Sequence, residues 1–325
     1  MSGAILVTGA TGFLGGRLVR HLREEGRSVI AMGRDPVECR RLTDEGFAVW
    51  SADLSQNSEL EKFEAKGAVD AVVHCAGLSA NWGAKAAFHR FNVTGTRNVI
   101  ELARRLGART FIHVSSSSVY FKFCDQLGVT EDQVLPKPVN HYAWSKAEAE
   151  KLVTQATGLE TTILRPRGIY GKGDRALLPR LIRAAERGPL PLMRDGRAVI
   201  DLTHVDDVVR AISAALNTTR TTASKIYNVS GGESVPVREI ASRSAERAGI
   251  KVRWRKTPWL LALGPIRAVE AFHAIFRPSV EPPVTAYSAG LFAFSQTLDI
   301  SAIKNDTGWR PQISFEEGLR RTFAS

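Results

Sequence analysis

The stretch that most constrains the fold is Ala4-Ile5-Leu6-Val7-Thr8-Gly9-Ala10-Thr11-Gly12-Phe13-Leu14-Gly15, close to the start of the chain. Its apolar run stops at Thr8-Gly9, as a buried parallel strand does at a tight turn. Phe13, Leu14, Leu18, Val19 and Leu22 then recur at helical spacing up to a stop at Gly26. A strand, a glycine turn and a helix in that order aim the first N–H groups of the helix, and the positive end of its dipole, out of the turn. That arrangement suits a pyrophosphate. Gly9 permits the turn, Gly12 lets a phosphate approach the backbone, and Gly15 lets the helix pack on its strand. Thr11, Phe13 and Leu14 complete the loop. The spacing is Gly-x-x-Gly-x-x-Gly rather than Gly-x-Gly-x-x-Gly, and glycines also serve ordinary turns. The position between strand and helix makes this a dinucleotide loop.

Further apolar runs follow at 28–32, 47–50, 69–75 and 110–114, and residues 36–45, 58–66 and 85–106 between them carry helical spacing. The alternation specifies an α/β fold, a Rossmann-type doubly wound parallel sheet with right-handed crossovers. Residues 161–164 and 226–229 read as later strands of the same sheet. After Pro166 the rhythm changes to helical segments (176–187, 205–216, 237–248) separated by proline- and glycine-rich turns. The expected division is a dinucleotide-binding unit over 1–165 and a smaller, mostly helical substrate-binding region over 166–325, with 200–231 partly returning to the sheet.

The formal net charge of +11 invites a polyanion as partner. The cations are dispersed along helices, however, without aromatic interleaving, so solvated helix faces are expected and nucleic acid is not. They are densest from Arg238 to Lys256. Residues 259–276 are unusually apolar but interrupted by Gly264-Pro265, Arg267, Glu270 and His273, and on this reading fall short of a transmembrane span. A buried or subunit-contact helix, a lid over a greasy substrate and weak contact of residues 238–276 with a membrane surface all remain open. Cys39, Cys75 and Cys124 are too widely spaced to suggest a disulfide framework or a zinc site. The seven histidines are scattered and no metal site is expected; His204 reads as a cap or packing residue. With no leader pattern at the start, a reducing cytoplasmic setting is expected.

Tyr142 and Lys146 lie four apart on one face of a helix. An ammonium beside a phenol stabilises the phenolate, so the tyrosine can exchange a proton with a carbonyl or alcohol oxygen while hydride moves elsewhere. Ser115-Ser116-Ser117-Ser118 follows the fifth strand at the sheet edge where α/β proteins bind ligands, and a hydroxyl there can hold the substrate oxygen. The second strand ends Gly33-Arg34, with no acid before Asp35. An absent carboxylate and an available guanidinium favour the 2′-phosphate of NADP over the 2′-hydroxyl of NAD.

Together these pieces resemble the extended short-chain dehydrogenase/reductase family over nearly the whole chain. The matching motifs are Thr8 to Gly15, Asp53-Leu54, His74-Cys75-Ala76-Gly77, Asn92-Val93-Thr94-Gly95-Thr96, Ser115 to Tyr120, Tyr142 to Lys146, Arg165 to Gly171 and His204-Val205-Asp206-Asp207. The resemblance implies a nicotinamide cofactor, NADP or NAD, and a Ser-Tyr-Lys triad. Ser116 would be the triad serine, with Ser115 and Ser117 as alternatives, and Tyr142 the general acid/base. Lys146 would lower the tyrosine pKa and hold the nicotinamide ribose, with Asn92 near the proton relay. Asp53 and Leu54 would flank the adenine, and Cys75, Ala76 and Gly77 pass under the cofactor. Pro166, Gly168 and Ile169 would touch the nicotinamide, and a homodimer is expected by resemblance. Tyr120 is followed by Phe121-Lys122-Phe123 where the family usually has glycine, which leaves the substrate-side loop open.

Within the family, Leu78 to Gly83, Arg197 to Asp207 and the C-terminal tail are most similar to the 3β-hydroxysteroid dehydrogenase-like branch, which includes reductases of 2-alkyl-3-oxoalkanoates. That implies a 3-keto/3-hydroxy conversion on a hydrophobic molecule. A UDP-sugar epimerase or dehydratase with tightly held NAD is the alternative, for which Arg183, Arg187 and Arg194 could contact a diphosphate. A non-catalytic dinucleotide sensor or nucleic-acid binder is the other, and it would have no use for the proton relay.

Overall fold

The computed structural model describes residues 3–218 and 224–324. Five strands lead: β1 (Ala4–Thr8), β2 (Val29–Gly33), β3 (Ala48–Ser51), β4 (Val69–His74) and β5 (Thr110–Val114). With Glu160–Pro166 and Lys225–Val229 they form one seven-stranded sheet, ordered Lys225–Val229, Glu160–Pro166, β5, β4, β1, β2, β3. Every pairing within it is parallel. β1 pairs with β2 on one side and β4 on the other, so the winding reverses there and a crevice opens beyond the strand ends.

Helices cover both faces, which is why the central strands are apolar on consecutive residues rather than alternately. Leu18, Val19 and Leu22 of helix Phe13–Glu24 pack on one face beside Val208 and Ile212 of helix Val205–Asn217. Val99, Leu102 and Ala103 of helix Gly95–Arg105 pack on the other, beside Val153 of helix His141–Thr154. Full burial of such side chains contributes roughly 1.5–3 kcal/mol each.

A second sheet is ordered Ser234–Pro236, Val199–Asp201, Gln296–Leu298, Gln126–Val129. It draws its last strand from before residue 166. Helices Leu178–Arg187, Val237–Arg247, Ala286–Ala293 and Phe315–Phe323 surround it.

Three local readings change. The helix expected over 58–66 is only Asn57–Glu61, because Phe63 turns in to meet Trp50 edge-on at 5.3 Å between ring centres. The helix expected over 85–106 is wound more widely at His89–Thr94, around Asn92. Residues 259–276 form one helix, Trp259–Phe276, that is long and apolar enough to cross a membrane and has no buried residue. The expectation that it falls short of a span is therefore corrected: Gly264 and Pro265 do not break the helix. Packing within this chain does not bury it either.

Candidate active site

The glycine turn is a close-packed cradle. Gly9 has φ +72°, and a Cβ there would come within 2.7 Å of the Ala76 nitrogen. A Cβ on Gly15 would sit 2.2 Å from the Gly9 carbonyl oxygen. The helix Phe13–Glu24 begins at Gly12 with no side-chain cap and no acid in its first turn. Its leading N–H groups and dipole are thus left for an anion, and the residues fit the pyrophosphate of a dinucleotide. The floor continues through Gly77, where a Cβ would lie 3.2 Å from Asn92 Oδ1 and 3.4 Å from Lys146 Nζ. Beneath it His74, gripped by Thr8 at 2.7 Å and Thr96 at 3.0 Å, is pushed by burial to a pKa of about 3 and packs as a neutral ring.

At the C-terminal end of β2, Arg34 stacks its guanidinium 4.7 Å from the centre of the Phe91 ring, and Arg90 stacks at 5.1 Å. Burial raises the Asp53 pKa, but hydrogen bonds from Ser55 and the charges of Arg90 and Arg34 more than offset it. Arg90 reaches Asp53 at 3.0 Å, and Leu54 faces Gly95. Asp35 caps the next helix, accepting from the Val37 and Glu38 N–H groups at 3.0 and 3.2 Å. A side chain at Gly33 would collide with Thr11.

Asn140 caps the helix His141–Thr154 by accepting from the Ala143 N–H at 2.8 Å, which holds Tyr142 in the first turn. Tyr142, Lys146 and Glu150 then follow at four-residue intervals on one stripe. The Ser116 and Ser79 hydroxyls act on the phenol; burial raises its pKa against them, so the lowering expected from Lys146 is corrected to a rise. Ser116 lies in extended backbone just beyond β5. Ser115 instead donates to Glu150, which removes it from the phenol. Lys146 donates to the Val114 carbonyl at 2.9 Å, and burial drops its pKa to about 8 against the pull of Glu150. Asn92 accepts from the Leu78 N–H at 2.6 Å and donates to Ser145 at 2.8 Å. Pro166, Gly168 and Ile169 end the neighbouring strand and turn, with Gly168 at φ +51°.

Two arginines flank this group. Arg165 is buried and binds Glu150 through Nε at 3.0 Å and Nη2 at 2.6 Å, with Nη1 on the Tyr120 hydroxyl. Arg167 is 6% exposed, and among the described residues its Nε and Nη2 have no hydrogen-bond partner. Its charge is felt by the buried Asp201 carboxylate and by Tyr287, which also feels Tyr142. Tyr287 packs edge-on against Phe121 at 5.0 Å, so an aromatic wall stands where the family has glycine. Of the other arginines considered, Arg194 is held bidentately by Asp125 at 2.8 and 2.7 Å, while Arg183 and Arg187 are exposed. His204 caps the helix Val205–Asn217.

Ser79, Glu150 and Arg90 carry no chemical role in the sequence patterns, and Arg167 enters them only within the Arg165 to Gly171 motif. Glu150 was findable as the next residue on the Tyr142–Lys146 stripe. Ser79, Arg90 and Arg167 carry no spacing signal, because only the fold brings them to the crevice.

The chain matches the NAD dependent epimerase/dehydratase family over residues 5–230. It is 33% identical to a 2-alkyl-3-oxoalkanoate reductase of Stenotrophomonas maltophilia, over 99% of this chain and 98% of that one. It is 29% identical to a human decarboxylating sterol-4-alpha-carboxylate 3-dehydrogenase, over 98% of this chain and 87% of that one. Among solved structures it resembles a dTDP-glucose 4,6-dehydratase of Streptomyces venezuelae with NAD bound, at a TM-score of 0.76 and 26% identity, covering 98% of this chain and 95% of that one.

Proposed function

The chain belongs to the NAD dependent epimerase/dehydratase family and is an NAD(P)-dependent oxidoreductase, and from that premise we propose that it reduces the 3-oxo group of a hydrophobic 3-oxo acid with NADPH. The observation that carries the substrate class is Arg167. A buried guanidinium with two unbonded nitrogens is costly unless a ligand completes it. A carboxylate two carbons from the reacting carbonyl is the group of matching charge and fork geometry. The aromatic wall of Phe121 and Tyr287 suits an aliphatic body better than a sugar.

In this reading Ser116 and Ser79 hold the substrate oxygen and Tyr142 donates its proton to it as the C–H bond forms. A nicotinamide dinucleotide, its pyrophosphate held at the glycine cradle and its ribose by Lys146, would supply hydride to the carbonyl carbon. The raised phenol pKa keeps Tyr142 protonated at neutral pH, as a proton donor must be. Lys146 holds the ribose and stabilises the phenolate left behind. Arg34 takes the 2′-phosphate, since Asp35 is committed to its helix and Gly33 has no room for an acid.

The test follows NADPH absorbance with a 2-alkyl-3-oxo acid, its methyl ester and, separately, UDP-glucose epimerisation. The acid is expected to outperform the ester by about 30-fold or more, the lower end for a buried charge pair. Tyr142→Phe should lose on the order of 10²–10⁴ in rate while still binding NADPH. Equal use of acid and ester would remove the carboxylate from the reading. Turnover of UDP-glucose alone would replace it with the epimerase.

A further inference from the structure

The helix Trp259–Phe276 is amphipathic the wrong way round for a free surface. Its half-buried residues are Trp259, Ala262, Leu263, Ile266, Glu270 and His273, one stripe at 100° per residue. Trp259 packs against Phe123 and Phe294, with ring centres at 5.4 and 5.1 Å. Glu270 accepts from the Ala286 N–H at 2.8 Å, and the His273 ring meets the Val280 carbonyl at 2.8 Å. The polar side chains thus face the protein. The opposite half-cylinder carries no polar side chain: Leu260 is 84% exposed, Leu261 74%, Ile275 71% and Phe276 68%.

Charge surrounds this face. Lys251, Arg253, Arg255 and Lys256 precede the helix, Arg267 stands at its flank and Arg277 at its end, all exposed. Further back, Arg243 and Arg247 are neutralised by Glu239 and Glu316. None of the six cations beside the helix has an ion pair among the described residues. The one carboxylate between residues 251 and 280, Glu270, is turned inward.

We propose that the helix lies flat on an anionic phospholipid surface, its apolar face among the acyl chains and its cations at the headgroups. It docks rather than spans, since crossing would strip Glu270, His273 and Trp259 of their partners. A second copy on this face would bring two sets of unpaired cations together, whereas anionic lipid neutralises them. The segment touches the site's own elements: Trp82, three residues beyond Ser79, donates to the Pro278 carbonyl at 3.2 Å. The proposal is nonetheless independent of which substrate is turned over.

The test is sedimentation of the full-length protein with vesicles of phosphatidylcholine alone or with about a third phosphatidylglycerol, together with light scattering in their absence. Binding should be at least tenfold stronger to the anionic vesicles and weaken as salt rises. The double variant Leu261→Asp/Ile275→Asp should lose tenfold or more. Arg255→Glu/Lys256→Glu should lose several-fold. All four side chains are exposed, so melting temperatures should not change. Absence of binding to anionic vesicles, equal binding to both kinds, or binding unmoved by either double variant would overturn the proposal. So would a dimer in solution that Leu261→Asp/Ile275→Asp converts to monomer.

Discussion

Arg165 and Arg167 lie two residues apart and meet opposite circumstances. Arg165, behind the phenol, is bonded to Glu150 and Tyr120 on every side, and these partners hold its charge against burial. Arg167, in front, is as deeply buried, unpartnered on two nitrogens, and pulled down by burial. The Arg165–Glu150–Tyr120 group is paired before any ligand arrives, so Lys146 and Tyr142 sit on fixed supports, the preorganisation that proton transfer needs. The region in front is unfinished, and a bound molecule must finish it. On the proposed function, stability is concentrated in the first and specificity in the second.

The largest effect should come from breaking the completed side. Glu150→Gln leaves Arg165 buried without its counter-charge and should cost about 3–5 kcal/mol, read by chemical denaturation. Lys146 loses its nearby carboxylate as well, so its pKa should fall further. An effect below about 1 kcal/mol would mean that the pair is as dispensable as a surface bridge. Arg167→Met is the converse. It should cost about 2–5 kcal/mol in kcat/KM for the 3-oxo acid, leave the ester unchanged, and cost less stability than Glu150→Gln, because two of its nitrogens give up no hydrogen bond. Destabilisation comparable to that of Glu150→Gln would erase the contrast between the two arginines.

A pH series sharpens the comparison at Lys146, which faces both regions. Burial drops its folded pKa from 10.5 to about 8. The ammonium that holds ribose and phenolate is therefore lost as pH rises through about 8, and kcat/KM should fall up to tenfold per unit above it. Stability should move the other way. Between about 8 and 10.5 the folded lysine has given up its proton while the unfolded one still holds it, so the unfolded state binds more protons and stability rises with pH. Subtracting the stability profile of Lys146→Met isolates this term. A difference that stays flat over that window would place the lysine pKa at or above its ordinary value and contradict the burial argument.

Much of the completed side was legible. A strand–glycine–helix start, Tyr142 and Lys146 four apart, and serines after the fifth strand each carry a local spacing that follows from secondary structure alone. Burial on both helix-covered faces leaves continuous apolar runs, which made the seven strands readable to within a residue or two. The unfinished side was not legible, for physical reasons. Arg167 looks like Arg165 in sequence, and only the sheet edge determines that one is hydrogen-bonded to Glu150 while the other keeps two nitrogens unbonded near Asp201. The helix Trp259–Phe276 reads as apolar, but which half of it meets the protein depends on Phe123, Phe294 and Ala286, each distant from some or all of it in sequence. The wide turn at His89–Thr94 likewise depends on Asn92 bonding to Leu78 across the crevice.

The smallest expected effect tests the cofactor end, where Arg34 and Asp35 repeat the contrast on the surface. Asp35 is satisfied within the chain as a helix cap; Arg34 rests on Phe91 and offers its charge outward. Arg34→Gln should weaken NADPH about tenfold, near 1.4 kcal/mol, and leave NADH unchanged, as read by their KM values. Asp35→Ala should cost only about 1 kcal/mol of stability as a lost cap and shift neither cofactor. If Asp35→Ala instead weakens NADH selectively, its carboxylate leaves the helix to take the ribose hydroxyls, and the second strand belongs to an NAD site. The cap bonds make that exchange unfavourable, because freeing Asp35 would strip the Val37 and Glu38 N–H groups of their acceptor.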